Sequence, residues 1–195
     1  MKKPQIVYIH GGDGFDSLWP ALKVWSEVLI YKASKLFKPK SAKWPDHLTS
    51  DLPDFEVLKL KMPTKYNAKY KAWVNHFESQ FPLFNDEVIL LGWSLGANFL
   101  VKYLAENDFP KKVKAAHLVA GCYGLGGGFE LSHNFPGKLS NYNVTLYHSK
   151  DDFVVKFEDF QKYREKLPQA KTEIFEDRNH FLQSDFPELL LNLNK

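Results

Sequence analysis

Cysteine occurs once in the 195 residues, at Cys122, so no disulfide can close within the chain. Stability must then come from packing alone, which fits a reducing compartment. Long apolar runs are missing too. None approaches the roughly 20 residues that span a bilayer, and the stretch after Lys2-Lys3 meets His10-Gly11-Gly12 too soon to be a signal peptide. An excess of one charge is also lacking, since 26 basic and 23 acidic side chains leave a net +3. That is too weak to argue for nucleic acid, and no zinc-finger spacing, basic heptad region or RNA-binding aromatic signature supports such a partner. Metal-ligand spacings of the H-E-x-x-H, C-x-x-C or calcium-loop kind do not occur. Repeats and low-complexity segments are absent. The expectation is a cytoplasmic protein with no metal, no cofactor, no nucleic acid and no membrane.

What is present is an ordinary globular composition, 44% hydrophobic and 25% charged, at a length that suits one domain over residues 1–195. Aromatic residues reach 15%, which predicts an aromatic-lined interior or pocket. Apolar runs at 5–9, 55–60, 87–91, 113–120, 144–148 and 172–175 read as buried strands. Helical spacing appears over 18–37 (Leu18, Leu22, Trp25, Val28, Leu29, Leu36) and over 67–81 (Tyr70, Trp73, Val74, Phe77). Further helices are predicted after residue 94, over 157–167 and over 186–193. Residues 38–53 read as a loop by their prolines and polar side chains. Strands alternating with amphipathic helices predict a three-layer α/β/α sandwich around a mostly parallel, doubly wound sheet of about six strands. The lysine-rich segment at about 17–50 is longer than a crossover needs and is expected to cover part of the site. Its Lys32, Lys35, Lys38, Lys40 and Lys43 flank Leu36 and Phe37. They read as a solvated face, with a protein partner or anionic surface as the other reading.

The most informative string is Gly92-Trp93-Ser94-Leu95-Gly96, directly after the apolar run Glu87-Val88-Ile89-Leu90-Leu91 and before Ala97-Asn98-Phe99-Leu100. G-x-S-x-G alone arises by chance in roughly one chain in fifteen to twenty of this length, so the context carries the weight. A serine on a tight strand-to-helix turn projects its hydroxyl clear of the backbone, beside the free N–H groups of a helix start. The plainer reading is a helix cap.

Ligand chemistry in parallel sheets gathers at the carboxyl ends of the strands. Those ends here carry His10-Gly11-Gly12, Ser94, the glycine-rich loop 121–128, Ser149-Lys150-Asp151-Asp152 and Arg178-Asn179-His180. A serine, an acid and a histidine thus share one rim, in the chain order of the α/β-hydrolases. With Trp19 after the first loop, the elbow through Ala97, His148-Ser149-Lys150-Asp151-Asp152-Phe153-Val154-Val155, and Asn179-His180-Phe181, the chain resembles that superfamily. It is most similar to the compact intracellular branch of YdeN and retinoblastoma-binding-protein-nine type. Two positions depart from the pattern: Ala97 replaces a third glycine, and Phe153 replaces the proline that usually follows the acid.

The resemblance implies a cofactor-free serine hydrolase of the minimal α/β-hydrolase fold, acting on a carboxylic ester or related acyl bond of a small molecule. Ser94 would be the nucleophile and His180 the base, in a polar loop whose mobility lets it reach the serine. Asp152 fits the frame of the orienting acid better than Asp151, and both stay candidates. The oxyanion donors would be the backbone N–H groups of Leu95 and of Gly12, or failing Gly12, Asp13. Trp19, Trp93 and Tyr123 are candidates for the acyl pocket by position alone. His10 is expected to order backbone, His117 to lie in a strand and His148 to end one. Cys122 reads as a small buried hydrophobe. The His10–Gly14 loop has no phosphate-loop spacing. The alternative is a hydrolase-fold protein that binds a protein partner, with weak or no catalysis.

Overall fold

The computed structural model describes residues 2–12 and 42–195. The six apolar runs form β1 (Gln5–Ile9), β2 (Glu56–Leu60), β3 (Glu87–Trp93), β4 (Lys112–Val119), β5 (Val144–Ser149) and β6 (Lys171–Phe175). They pair in one sheet of order β2-β1-β3-β4-β5-β6, and every pairing is parallel. Among the described residues the helices are α1 (Trp44–Asp51), α2 (Tyr70–Ser79), α3 (Leu95–Glu106), α4 (Phe157–Lys166) and α5 (Pro187–Leu193). None of them is long and apolar enough to cross a membrane.

The four inner strands bury residues on both faces, and their period of two divides the core. Val7, Ile9, Val88, Leu90, Ala116, Leu118, Val144 and Leu146 pack with α2, α3 and α4. Ile6, Tyr8, Ile89, Leu91, Val119 and Tyr147 pack with Trp44 and Leu48 of α1 and with Leu189 and Leu193 of α5. Helices therefore cover both faces, as the alternating pattern requires. The aromatic content goes largely into the first layer. Phe77 alone has the rings of Phe81, Phe84, Phe99, Tyr103 and Phe109 within 5.1–5.9 Å, mostly edge to face.

One segment corrects the sequence reading. Of the stretch 38–53 predicted as loop, Trp44–Asp51 is helical. Pro45 sits in the first turn, where the missing N–H has no helical partner to lose. Asp46 accepts the Lys43 N–H at 2.9 Å, and Trp44 and Leu48, four apart, are both buried. The prolines punctuate the helix rather than exclude it. The helix predicted over 18–37 lies outside the described residues.

The order β2-β1-β3 means that the chain reverses its winding direction between β1 and β3. A crevice opens at the carboxyl ends of strands where that reversal falls. Here it lies between the loop after Ile9 and the turn after Trp93.

Candidate active site

Ser94 occupies the turn between β3 and α3 with φ 56 and ψ −120, a left-handed conformation that a non-glycine residue adopts only where its surroundings impose it. The surroundings are backbone. Ser94 N–H donates to Val119 O at 2.8 Å, and Ser94 O accepts from Ala97 and Asn98 N–H at 2.9 and 3.1 Å. The flanking glycines permit the sharp turn. A Cβ on Gly92 would stand 2.6 Å from Gly96 O, and one on Gly96 would overlap Ile9 O. The Ser94 side chain makes no cap hydrogen bond to the helix it precedes, so the helix-cap reading does not account for it. Its hydroxyl instead faces the loop after β1, where a Cβ on Gly11 would lie 3.6 Å from Ser94 Oγ.

That loop is ordered by His10. Its Nε2 accepts the Met62 N–H at 3.0 Å, which leaves the proton on Nδ1, 2.6 Å from Gly11 O. The ring holds backbone, as expected. Gly12 follows, where a Cβ would lie 3.2 Å from Leu95 Cδ2, and Leu95 is the first residue of α3.

At the rim's other side, His180 Nδ1 lies 2.8 Å from Asp152 Oδ2. The Asp152 side chain is fully buried and the His180 side chain is 8% exposed, so this pair is shielded from water. Asp152 Oδ1 accepts the N–H groups of Val154 and Val155 at 2.8 and 2.9 Å, and these bonds aim its other oxygen at the imidazole. Asp151 has a different task. Its Oδ1 accepts from Ser149 Oγ at 2.5 Å and from Asn179 N–H at 2.8 Å, stitching the end of β5 to the histidine loop.

The loop that carries His180 is tied by hydrogen bonds to its neighbours on both sides. Asn179 and Phe181, on either side of His180, have φ 50 and 53. Phe181 N–H closes a turn on Arg178 O at 2.9 Å, and Arg178 N–H donates to Ser149 Oγ at 2.9 Å. Trp44 Nε1–H donates to Phe181 O at 3.0 Å, and Trp93 Nε1–H donates to His180 O at 3.2 Å. Trp93, the residue before Ser94, thereby ties the elbow to the histidine, with its ring centroid 5.8 Å from the imidazole. Among the described residues no hydrogen bond joins Ser94 Oγ to the His180 ring. Catalytic contacts of this kind are commonly long without substrate and tighten when it binds.

Tyr123 stands half-buried on the loop after β4, its ring 5.0 Å from Tyr163 and 5.8 Å from Phe135. Trp19 and Asp13 lie outside the described residues, as do Lys32, Lys35, Lys38 and Lys40. Two residues with a part in the site gave no signal in the sequence. Trp44 clamps the histidine loop from α1. Buried Asn98 of α3 accepts the Cys122 N–H at 2.7 Å and so holds the loop after β4. Cys122 is only partly buried by exposed area, yet burial of its thiol, with Asp159 nearby, pushes the pKa up to about 12. Burial thus disfavours the thiolate that a cysteine nucleophile needs. His117 is held down to about 4, chiefly by burial, and burial also lowers His148, whose Nε2 faces Val155 O at 3.1 Å. Among the described residues no three His, Cys, Asp or Glu side chains form a group that would hold a metal ion.

A doubly wound parallel sheet with a serine on a strained strand-to-helix turn and an Asp–His pair on the same rim defines the architecture of a hydrolase of the α/β class. The sequence pattern of the serine hydrolase family matches residues 36–185, and the chain belongs to that family. No curated protein matches it in sequence. Among solved structures, the ydeN gene product from B. subtilis is similar with a TM-score of 0.74 and 16% identity, over 98% of this chain and 97% of that one. A lipase-esterase related protein from Clostridium acetobutylicum ATCC 824 is similar with a TM-score of 0.63 and 12% identity, over 99% and 94% of the two chains. The methylesterase protein MES16 from Arabidopsis is similar with a TM-score of 0.60 and 13% identity, over 98% and 97%. At these identities the likeness establishes the minimal α/β-hydrolase fold.

Proposed function

We propose that this serine hydrolase cleaves a carboxylic ester, or a closely related acyl bond, of a small molecule through Ser94, His180 and Asp152. The observation that carries the reading is the buried His180–Asp152 hydrogen bond at the same sheet edge as Ser94. A carboxylate on Nδ1 keeps the proton there, so Nε2 presents a lone pair to the serine and the imidazolium that forms is stabilised. Ser94 Oγ then attacks the carbonyl carbon while its proton passes to His180 Nε2. The carbonyl oxygen, now negative, is held by the N–H groups of Leu95 and Gly12. As the ester C–O bond breaks, the leaving alkoxide takes the proton from His180. Water attacks the acyl-enzyme with His180 again as base, releasing the carboxylic acid and restoring Ser94.

Labelling with a fluorophosphonate probe, together with hydrolysis of p-nitrophenyl acetate, tests this. Wild type is expected to label on Ser94, Ser94→Ala not at all, and His180→Ala to lose a factor of at least ~10³ in kcat/KM. Labelling that survives in Ser94→Ala removes Ser94 as nucleophile. A folded wild type that neither labels nor hydrolyses favours the reading as a protein-binding module.

A further inference from the structure

His148 takes no part in the proton transfers between Ser94 and His180, yet it is bonded to the turn that carries the acid. It belongs to β5 and is buried, 1% exposed. Its ring stacks on that of Phe160 in α4, with centroids 5.4 Å apart and an interplanar angle of 25°, and lies 5.9 Å from the ring of Phe157. Burial lowers its pKa and outweighs the Asp152 charge, which acts to raise it. The imidazole is therefore neutral in neutral water and carries a single N–H. Nε2 lies 3.1 Å from Val155 O. A carbonyl oxygen can only accept, so that proton sits on Nε2 and is donated to Val155.

Val155 lies near the end of the turn that joins β5 to α4. Lys150 N–H donates to Phe175 O at 2.8 Å and Asp152 N–H to Ser149 O at 3.2 Å, which fixes the turn where it leaves β5. Toward α4, Val154 and Val155 donate their N–H groups to Asp152 Oδ1 at 2.8 and 2.9 Å, while Oδ2 meets His180 Nδ1 at 2.8 Å. These two donors can aim the carboxylate only if their own backbone is held. His148 holds it: the N–H of Val155 grips the acid, and its carbonyl is gripped by the imidazole. Val155 is itself buried, so without the ring that carbonyl would be shielded from water and unpaired. We propose that His148 is a positioning residue for Asp152, anchoring the acid turn to the sheet through Val155 and so fixing the carboxylate that orients His180. The inference rests on the reading of Asp152 and His180 as acid and base, and adds the side chain that keeps the acid in place. Substrate can bind without an aligned imidazole, whereas the transition state needs one, so the loss belongs in kcat.

Variants that lack the donor, set against one that keeps it, test the assignment. The glutamine amide can donate to Val155 O in place of Nε2–H, whereas leucine and methionine fill the space and cannot. With p-nitrophenyl acetate, His148→Leu and His148→Met are expected to lose about ten-fold or more in kcat, with KM within about two-fold of wild type. His148→Gln should recover most of that loss, to within about three-fold of wild type. Melting curves establish that the variants fold. Proton NMR reads the Asp152–His180 bond directly, through the downfield His180 Nδ1–H signal identified by its loss in His180→Ala. That signal should move upfield or broaden in His148→Leu and His148→Met and return in His148→Gln. Wild-type kcat and an unmoved signal in the two apolar variants, or an equal loss in all three, overturn the proposal. If neither apolar variant folds, nitrogen NMR of the wild-type His148 ring decides: a proton on Nε2 supports the bond to Val155, and a proton on Nδ1 overturns it. If wild type hydrolyses nothing, the catalytic reading falls. The His180 Nδ1–H signal then still separates the two cases, its displacement in the apolar variants supporting the role of His148 and its constancy ending it.

Discussion

At the scale of single residues, adjacent aspartates illustrate how position divides labour. Asp151 and Asp152 are neighbours of the same type, yet one bonds a backbone N–H of the histidine loop and the other bonds the imidazole. Asp152→Asn keeps the shape and can still accept from Val154 and Val155 with its oxygen. Its amide nitrogen would then face His180 as a donor, which forces the ring proton onto Nε2 and removes the lone pair that the proposed mechanism offers to Ser94. A fall in kcat of about 10³–10⁴ with little change in KM is expected, the size seen where such an acid loses its charge but not its geometry. Asp151→Asn retains an acceptor for Ser149 and Asn179 and is expected to stay within a few-fold of wild type. Steady-state kinetics of the two variants decide the matter. A larger loss in Asp151→Asn would reverse the assignment. The sequence left this pair open because two adjacent acids satisfy the same local frame. The distinction arises only when residues 154, 155 and 180 come together around one of them.

Elements position these residues, and α1 does more of this than its sequence suggests. Trp44 opens the helix, packs between Tyr8, Trp93 and Phe186 with centroids 5.6–6.0 Å apart, and spends its one side-chain donor on Phe181 O. The backbone N–H of Trp44 bonds Gln183 O at 3.0 Å, so α1 holds the segment after His180 at two points. Trp44→Phe keeps most of the apolar contact and removes the donor, leaving a buried carbonyl unpaired. The expected cost is about 1–3 kcal/mol in urea unfolding, with a several-fold fall in kcat as the imidazole loses its fixed position. Lost stability with unchanged kcat would show that Trp93 and the Arg178–Phe181 turn hold the ring without α1. The elbow was legible because its chemistry is local: a strand, two glycines and a helix adjoin in the chain. The α1 clamp was not, because its meaning depends on a residue 137 positions away, and three prolines with polar neighbours look like a loop.

Over the whole molecule, short apolar runs made the six strands readable, and helices falling between most of them pointed to the parallel order. The winding reversal between β1 and β3, which sets the location of the crevice, is a property of the assembled sheet. So is a buried polar chain that crosses the second core layer. Asn192 Nδ2 of α5 donates to Tyr147 OH at 3.1 Å, and that hydroxyl lies 2.9 Å from His117 Nδ1 in β4. Burial disfavours the imidazolium, so His117 shares this bond with the tyrosine hydroxyl as a neutral ring. Burial, with Lys171 adding a like charge, depresses its pKa from 6.5 to about 4. Above pH 6.5 the folded and unfolded chains both carry it neutral and it contributes nothing to the pH dependence. As the pH falls from 6.5 toward 4 the unfolded chain takes up a proton that the native state refuses. Stability is then lost at up to ~1.4 kcal/mol per pH unit, on the order of 3 kcal/mol across the window. His117→Gln keeps a partner for Tyr147 and never ionises. Urea unfolding of both proteins at intervals from pH 7.5 to 4.5 gives a difference in which the shared carboxylates cancel. Wild type should lose about 2 kcal/mol or more relative to the variant over that range. Parallel curves would mean that the native state protonates His117 as readily as the unfolded chain does.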